Sequence, residues 1–563
     1  MNWQKLSMFY SNRFVLLLTV AMALVIFSKR QSLASVNETE RKYVGYVKVG
    51  PLKQMIKQIT NIAYQIQPSP AVESLPYLVG IMLGDPSLHS ISVIENTTVF
   101  IYDTLSDRGA TYLVLVKLTE DSPIHNALSR QGMIIENRKG WSLISSDQFL
   151  LDQIKDVEPL IKFTQEKRGT DIEIGFLLDH IKYPVESIKD EIINRSEKEG
   201  YIKDETDRTT IEGLIDIIIG ELRTLESLLM GIDITPDKFV IQSNIKAISG
   251  TPLGRLFSQE LVRDIPMGKY LSTKTSLTYR FRFNPKDSGE YVNHILDAVA
   301  DVSQNDWKSL VINLKDFYKE FLGGIDGTSV GSFEMNKMTI KRKQLGGTDL
   351  SSSEFADLIE EGIKLTDELM KIISKDNRVE ITLFHNFKRD AFTVNEVSVH
   401  TLKSRFNNMD NFLSGEEFEE EKSVTDQTYY YAVNNGVYFN ASDRKSIYEL
   451  IKQVTSGRPA DRNINTVFSY KEGIIGQLRI DPRYSLMKMI ENRENIKPEL
   501  VEAIHKKIEL TVIDPILSEF RIGNSRLSVN TKASWKSVAD WVSIIQMINR
   551  GSISKDLPIF GFQ

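Results

Sequence analysis

The chain has 563 residues, with 69 Lys and Arg against 75 Asp and Glu, a formal net charge of -6 and no cysteine. Charge this evenly balanced, with no basic run longer than Lys341-Arg342-Lys343, speaks against a nucleic-acid surface. Without thiols there are no disulfides, no Cys-ligated metals, no thiolate catalysis and no lipid-modified N-terminal cysteine. In an exported protein of this size, such a composition fits the bacterial envelope better than a disulfide-rich secretion.

Residues 14–27 (FVLLLTVAMALVIF) carry no charge, with Lys5 and Arg13 before them and Lys29 and Arg30 after. A full span of the hydrocarbon core needs about 20 apolar residues. The shorter run suits a secretory signal cut before Ser35, a retained anchor whose flanking bases snorkel, or a buried N-terminal helix of a cytoplasmic protein. The first two readings place the bulk of the chain outside the cytoplasm, in the periplasm or at the outer face of the cytoplasmic membrane. A polar linker fills 35–42.

Downstream, 43–49 reads as a strand. Apolar residues at Leu52, Met55, Ile56, Ile59, Ile62, Ala63 and Ile66 recur at the helical period, and Pro68 stops that helix. Residues 90–102 and 111–118 alternate as strands, and 133–145 predicts a hairpin turning at Arg138-Lys139-Gly140. Ser146 or Asp147 then caps a helix. Residues 170–178 and 238–248 read as strands, with helical or mixed stretches at 185–194 and 214–229. The alternation of 276–283 (SLTYRFRF) predicts a strand with one wet face. Helices are expected over 288–299, 307–321 and 355–373, and a loop at Gly323-Gly324-Ile325-Asp326-Gly327-Thr328. Residues 378–387 and 391–400 predict a hairpin turning at Lys388-Arg389-Asp390. Asn434-Asn435-Gly436 predicts a tight turn between strands, because Asn-Gly readily takes the left-handed conformations needed there. Asp443 caps a helix, and 466–547 returns to strands and helices.

Two stretches answer each other. GWSLISSDQFLLDQI begins at Gly140 and GVYFNASDRKSIYELI at Gly436, so Ser146-Asp147 matches Ser442-Asp443. An apolar strand and a helix follow each, and 231–248 resembles 517–532. The expected class is α+β, in two similar halves that each bear an antiparallel-rich sheet covered by amphipathic helices. The expected boundaries are a leader or anchor over 1–34, the linker over 35–42, halves over 43–268 and 269–550, and a tail over 551–563. The leader, the residues 436–450, 477–490 and 527–545, and the paired units together resemble large exported bacterial envelope proteins of the DUF3352 type. That resemblance implies an extracytoplasmic α+β protein and carries over no catalytic residue.

The seven histidines show no i,i+4 pair for metal binding, and no Gly-x-Ser-x-Gly elbow or phosphate-binding loop is present. Neither catalytic residues nor cofactor or metal ligands are expected. Tyr429, Tyr431, Tyr438 and Phe439 lie on neighbouring hairpin strands and are the candidate binding surface, either as sheet-stabilising pairs or as the lining of a groove. Three functions follow: an envelope scaffold or assembly factor that meets a protein partner, a carrier or sensor of a lipid or other hydrophobic ligand, and an envelope hydrolase.

Overall fold

The structure is a computed structural model. It describes residues 43–543 except 67–68, 103–110, 167–168, 179–183, 199–201, 203–204, 263–265, 304, 336–339, 378–381, 408–423, 469–471, 485–486, 488–497, 511–513 and 541. The leader, the linker and the tail lie outside the described residues.

The chain opens with β1 (Tyr43–Val49), α1 (Leu52–Ile66), α2 (Pro70–Glu73) and α3 (Leu75–Leu83). Next come β2 (Thr97–Tyr102), β3 (Thr111–Val116), α4 (Pro123–Arg130), β4 (Ile134–Arg138), β5 (Trp141–Ser145), α5 (Gln148–Gln153) and α6 (Glu158–Gln165). They are followed by β6 (Ile172–Leu177), α7 (Pro184–Lys198), α8 (Glu205–Arg223), β7 (Leu225–Ile234), β8 (Lys238–Ala247) and α9 (Pro252–Leu256). The chain continues with β9 (Leu277–Arg282), α10 (Pro285–Val302), α11 (Asn305–Gly324), β10 (Ile325–Met335), β11 (Ile340–Thr348) and α12 (Ser352–Asn377). It closes with β12 (Thr382–Val394), β13 (Val397–Asn407), β14 (Val424–Asn434), β15 (Val437–Ala441), α13 (Arg444–Thr455), β16 (Ile474–Ile480), α14 (Pro498–Leu510), β17 (Ile516–Gly523) and β18 (Arg526–Ser534).

The class is α+β, and among the described residues the strands join one 18-stranded sheet. Their antiparallel pairings run β4-β5-β3-β2-β1-β6-β7-β8-β18-β17-β16-β9-β10-β11-β15-β14-β13-β12. Neighbouring strands lie about 4.8 Å apart, so the path along the sheet from β4 to β12 is on the order of 80 Å.

Local chemistry sets the ends of many elements. Asp147 caps α5 by accepting from the Phe149 and Leu150 amides, and Asp443 caps α13 by accepting from the Ser446 amide. The β4–β5 turn places Lys139 and Gly140 at φ 51° and 75°, and the β14–β15 turn places Asn435 and Gly436 at 49° and 74°. Two successive left-handed residues give the hairpin turn whose twist matches the strands.

Two expectations about turns and loops need correcting. The hairpin expected to turn at Lys388-Arg389-Asp390 turns instead at Asn395 and Glu396, with φ 47° and 66°. The 388–390 segment lies within β12 as a register shift between Lys388 and Phe392, and His385 consequently faces Ser404. A polar triplet at a bulge looks like a turn in sequence because both tolerate exposed, irregular backbone. The loop expected at 323–328 is also absent: α11 ends at Gly324 and β10 starts at Ile325.

Both faces of the sheet carry apolar clusters. On one, here the front, Phe100, Leu113, Leu115, Trp141 and Leu143 pack with Leu150 and Leu151 of α5. Towards the other end of that face, Val330, Leu345, Ala432 and Phe439 pack with Ile447, Leu450 and Ile451 of α13. On the back, α1 and α4 cover Tyr112, Val116 and Ile144. Also on that side, Met55, Ile59 and Ile62 of α1 pack with Ile172, Ile234 and Trp535.

Candidate functional site

Directly opposed residues in an antiparallel ladder point to the same face, so register shows what the middle of the front presents. One row begins in the first front core with Leu143, Leu115 and Thr98. It continues through Lys48, Glu173, Gly231, Gln242, Asn530, Glu519, Gln477 and Arg280. It then returns to apolar residues at Val330, Leu345 and Phe439. A polar strip therefore crosses the sheet between two apolar cores.

The ends of the strip are buried and its centre is half-exposed. Lys48 is 3% exposed and Arg280 and Gln477 are each 7% exposed, whereas Glu173, Gln242, Asn530 and Glu519 are half-buried. The Lys48 ammonium donates to the Phe163 carbonyl and lies 4.7 Å from the centre of that ring. Tyr46 Oη donates to Glu173 Oε1 at 2.7 Å. Burial, reinforced by that bond to a carboxylate, pushes the Tyr46 phenol well above its ordinary value. Towards the other end, Arg521 Nε donates to Glu519 Oε1 at 2.6 Å, and Gln477 Nε2 donates to Glu519 Oε2 at 3.4 Å. Arg280, Arg282, Ile475 and Gln477 help line a narrow gap at that end. The face of β9 expected to be wet is thus buried, with Thr278, Arg280 and Arg282 at 0%, 7% and 8% exposure. Arg282 is accommodated there by donating to the Ile474 and Val262 carbonyls at 2.7 and 3.1 Å.

This strip offers ammonium, guanidinium, carboxylate and amide groups, and in its phenol–carboxylate contact, Tyr46 with Glu173, burial holds the phenol protonated and so unactivated. It can hold a polar surface by hydrogen bonds and ion pairs. No strip residue was a sequence-derived candidate. The available signal was a charged or amide residue set between apolar strand neighbours, as with Lys48 in YVGYVKV and Gln477 and Arg479 in IIGQLRI.

A nucleophile and a base do meet elsewhere. Ser352, in the first turn of α12, has its Oγ 2.9 Å from His400 Nε2 on β13. Asp390 lies on the other side of the ring, its Oδ1 3.8 Å from Nδ1. The closer group is the Asp390 backbone amide, which donates to Nδ1 at 3.2 Å. That bond makes Nδ1 the acceptor and leaves the proton on Nε2, which then donates to Ser352. A general base for a serine needs the reverse arrangement, with Nε2 bare and Nδ1–H held by a carboxylate. His400 is 2% exposed, and its burial lowers its proton affinity. The trio therefore ties α12 to the bulge in β12.

The sequence-derived surface residues divide between the two faces. Tyr438 faces the back with Tyr431 and Tyr429, and Phe355 of α12 stacks on Tyr438 at 5.7 Å. Phe439 faces the front and is fully buried in the core with α13. Among the described residues no group of three or more His, Cys, Asp or Glu side chains is placed to hold a metal ion. Also among the described residues, no helix is long and apolar enough to cross a membrane. Compared with protein-family models, curated proteins and solved structures, the chain matches none.

Proposed function

We propose that this protein is an extracytoplasmic scaffold or assembly factor of the cell envelope, held beside the membrane through residues 1–34 and acting by protein contacts, without catalysis. The observation that carries this reading is the polar strip. A sheet face that closes on apolar cores at both ends yet presents half-exposed Glu173, Gln242, Asn530 and Glu519 between them offers a long hydrogen-bonding platform. The bacterial envelope setting and the kinship with DUF3352-type proteins belong to the same proposal.

Two similar halves, 43–268 and 269–550, are part of it. In support, the order β4-β5-β3-β2-β1-β6-β7-β8 is matched by β14-β15-β11-β10-β9-β16-β17-β18, with β12 and β13 added beyond β14. Equivalent places then carry Lys48 and Arg280, Glu173 and Gln477, and the capping residues Asp147 and Asp443. The halves meet where β8 pairs with β18, like to like, as in the self-complementary interface of a two-fold dimer.

A carrier of a hydrophobic ligand is the second reading. It is favoured by the back of the same strands, where Met230, Ile245, Leu527, Val529, Phe520 and Phe281 remain half-buried. Native mass spectrometry of the gently extracted protein separates the two. Stoichiometric co-purifying protein, lost in a folded Asn244→Trp/Asn530→Trp variant, supports the scaffold. Partner retention by that variant removes the strip from the account, and a monomer carrying a defined lipid replaces the scaffold with the carrier.

A further inference from the structure

The helix α3, LPYLVGIML, contains no charged residue. Its inward side is conventional: Val79 and Leu83 pack against the cluster that includes Leu52 and Ile56 of α1. Its outward side is not, for Tyr77, Leu78, Ile81 and Met82 are 56%, 48%, 49% and 46% exposed. The helix is firmly mounted. Gly84 ends it in the left-handed conformation at φ 79°, and the Asp85 amide donates back to the Gly80 carbonyl at 2.8 Å. A Cβ on Gly84 would lie 2.3 Å from Ala127 Cβ of α4, so the two helices meet too closely for any side chain there. Asp85 locks the following loop by accepting from the Ser87 and Ser90 amides at 3.2 and 2.8 Å. Four large apolar side chains are thus displayed to water on a rigid support.

We propose that this outward face of α3 docks on the lipid bilayer, with its apolar side chains in the boundary between headgroups and acyl chains. The inference rests on the membrane-held reading above. The chain's own layout selects lipid over other occupants. The apolar run ends at Phe27 and β1 begins at Tyr43. A fully extended chain covers at most about 3.6 Å per residue, so this leash is no longer than about 60 Å. α1 follows β1 directly and shares a cluster with α3, so the leash keeps α3 within reach of the membrane surface. Hydrocarbon asks for no charged partner, and α3 offers none. Tyr77, near the helix start, has the amphipathic ring favoured at the headgroup level. Because the contact is apolar, salt will not release it.

The absence of native cysteine makes the test direct. Leu78→Cys in the full chain is labelled with an environment-sensitive fluorophore and reconstituted into phosphatidylcholine and phosphatidylglycerol vesicles with spin labels on the acyl chains. Lys532→Cys, exposed on the front face, is the control. The expected result is a blue-shifted label at position 78, quenched several-fold more strongly than the control and unaffected by added salt. Equal quenching at the two positions, or quenching at position 78 only by a second labelled copy of the chain, overturns the proposal while the chain stays with the vesicles. Loss of the chain from the vesicles in alkaline carbonate overturns the membrane-held reading as well.

Discussion

Replacing Ser352 with alanine separates a structural trio from a catalytic one. In the folded chain His400 Nε2–H donates to Ser352 Oγ at 2.9 Å, and the Asp390 amide occupies Nδ1 at 3.2 Å. Alanine removes the acceptor and leaves an imidazole N–H without its partner at a site 2% exposed. A made hydrogen bond is worth about 1 kcal/mol net, and a buried donor left unmade costs about 1–3 kcal/mol, so Ser352→Ala should destabilise by roughly 1–3 kcal/mol. Urea unfolding reads this as a lower midpoint at unchanged slope. The pH dependence has a definite sign. Burial lowers the His400 pKa from its ordinary 6.5, so the unfolded chain takes up a proton before the folded chain does. The His400 contribution is complete above about pH 6.5 and declines as pH falls from there towards the folded value; His400→Gln should abolish that part of the slope. The reasoning is refuted if Ser352→Ala leaves the midpoint unchanged while nitrogen NMR finds the proton on Nδ1 and a fluorophosphonate labels Ser352.

Other perturbations test the packing. Tyr279 lies over Gly331, where an added Cβ would be 2.4 Å from ring carbons, so Gly331→Val should cost about 1–3 kcal/mol in thermal unfolding. Gly220, in the exposed interior of α8, has no atom within 4 Å of an added Cβ, and Gly220→Ala should stabilise by up to about 1 kcal/mol. Burial alone would raise the Asp85 pKa, but hydrogen bonds from Ser90 and Ser87 outweigh it and bring the group down to about 2. Its stabilisation is full above about pH 4 and lost as pH falls through about 2. Asp85→Asn should remove that acid sensitivity in unfolding curves recorded between those limits.

Much of the local structure was legible in the sequence because it rests on short-range chemistry. Asn435-Gly436 specifies its turn, Asp147 and Asp443 specify helix starts, and the apolar period of 52–66 specifies α1. The turn at Asn395 and Glu396 was missed because the neighbouring Lys-Arg-Asp triplet is the more polar segment, although backbone conformation decides a turn. Strand order was beyond reach, since pairing β8 with β18 joins residues far apart in sequence and depends on the whole sheet. The polar strip was hidden for the same reason. Lys48, Glu173, Gln242, Asn530, Glu519 and Arg280 come from separate strands, and each alone reads as a solvated position. Tyr438 and Phe439 were grouped into one surface although period-two alternation already sends consecutive strand residues to opposite faces.

The scaffold reading turns on whether the strip is covered when the protein is at work. Carbodiimide footprinting of Glu173 and Glu519 in the gently extracted assembly, compared with the same chain stripped of its partners, measures this directly. The account predicts that both carboxylates are modified in the isolated chain and several-fold less in the assembly, with exposed acids such as Glu290 on α10 unchanged. Equal modification of Glu173 and Glu519 in the two states would contradict it.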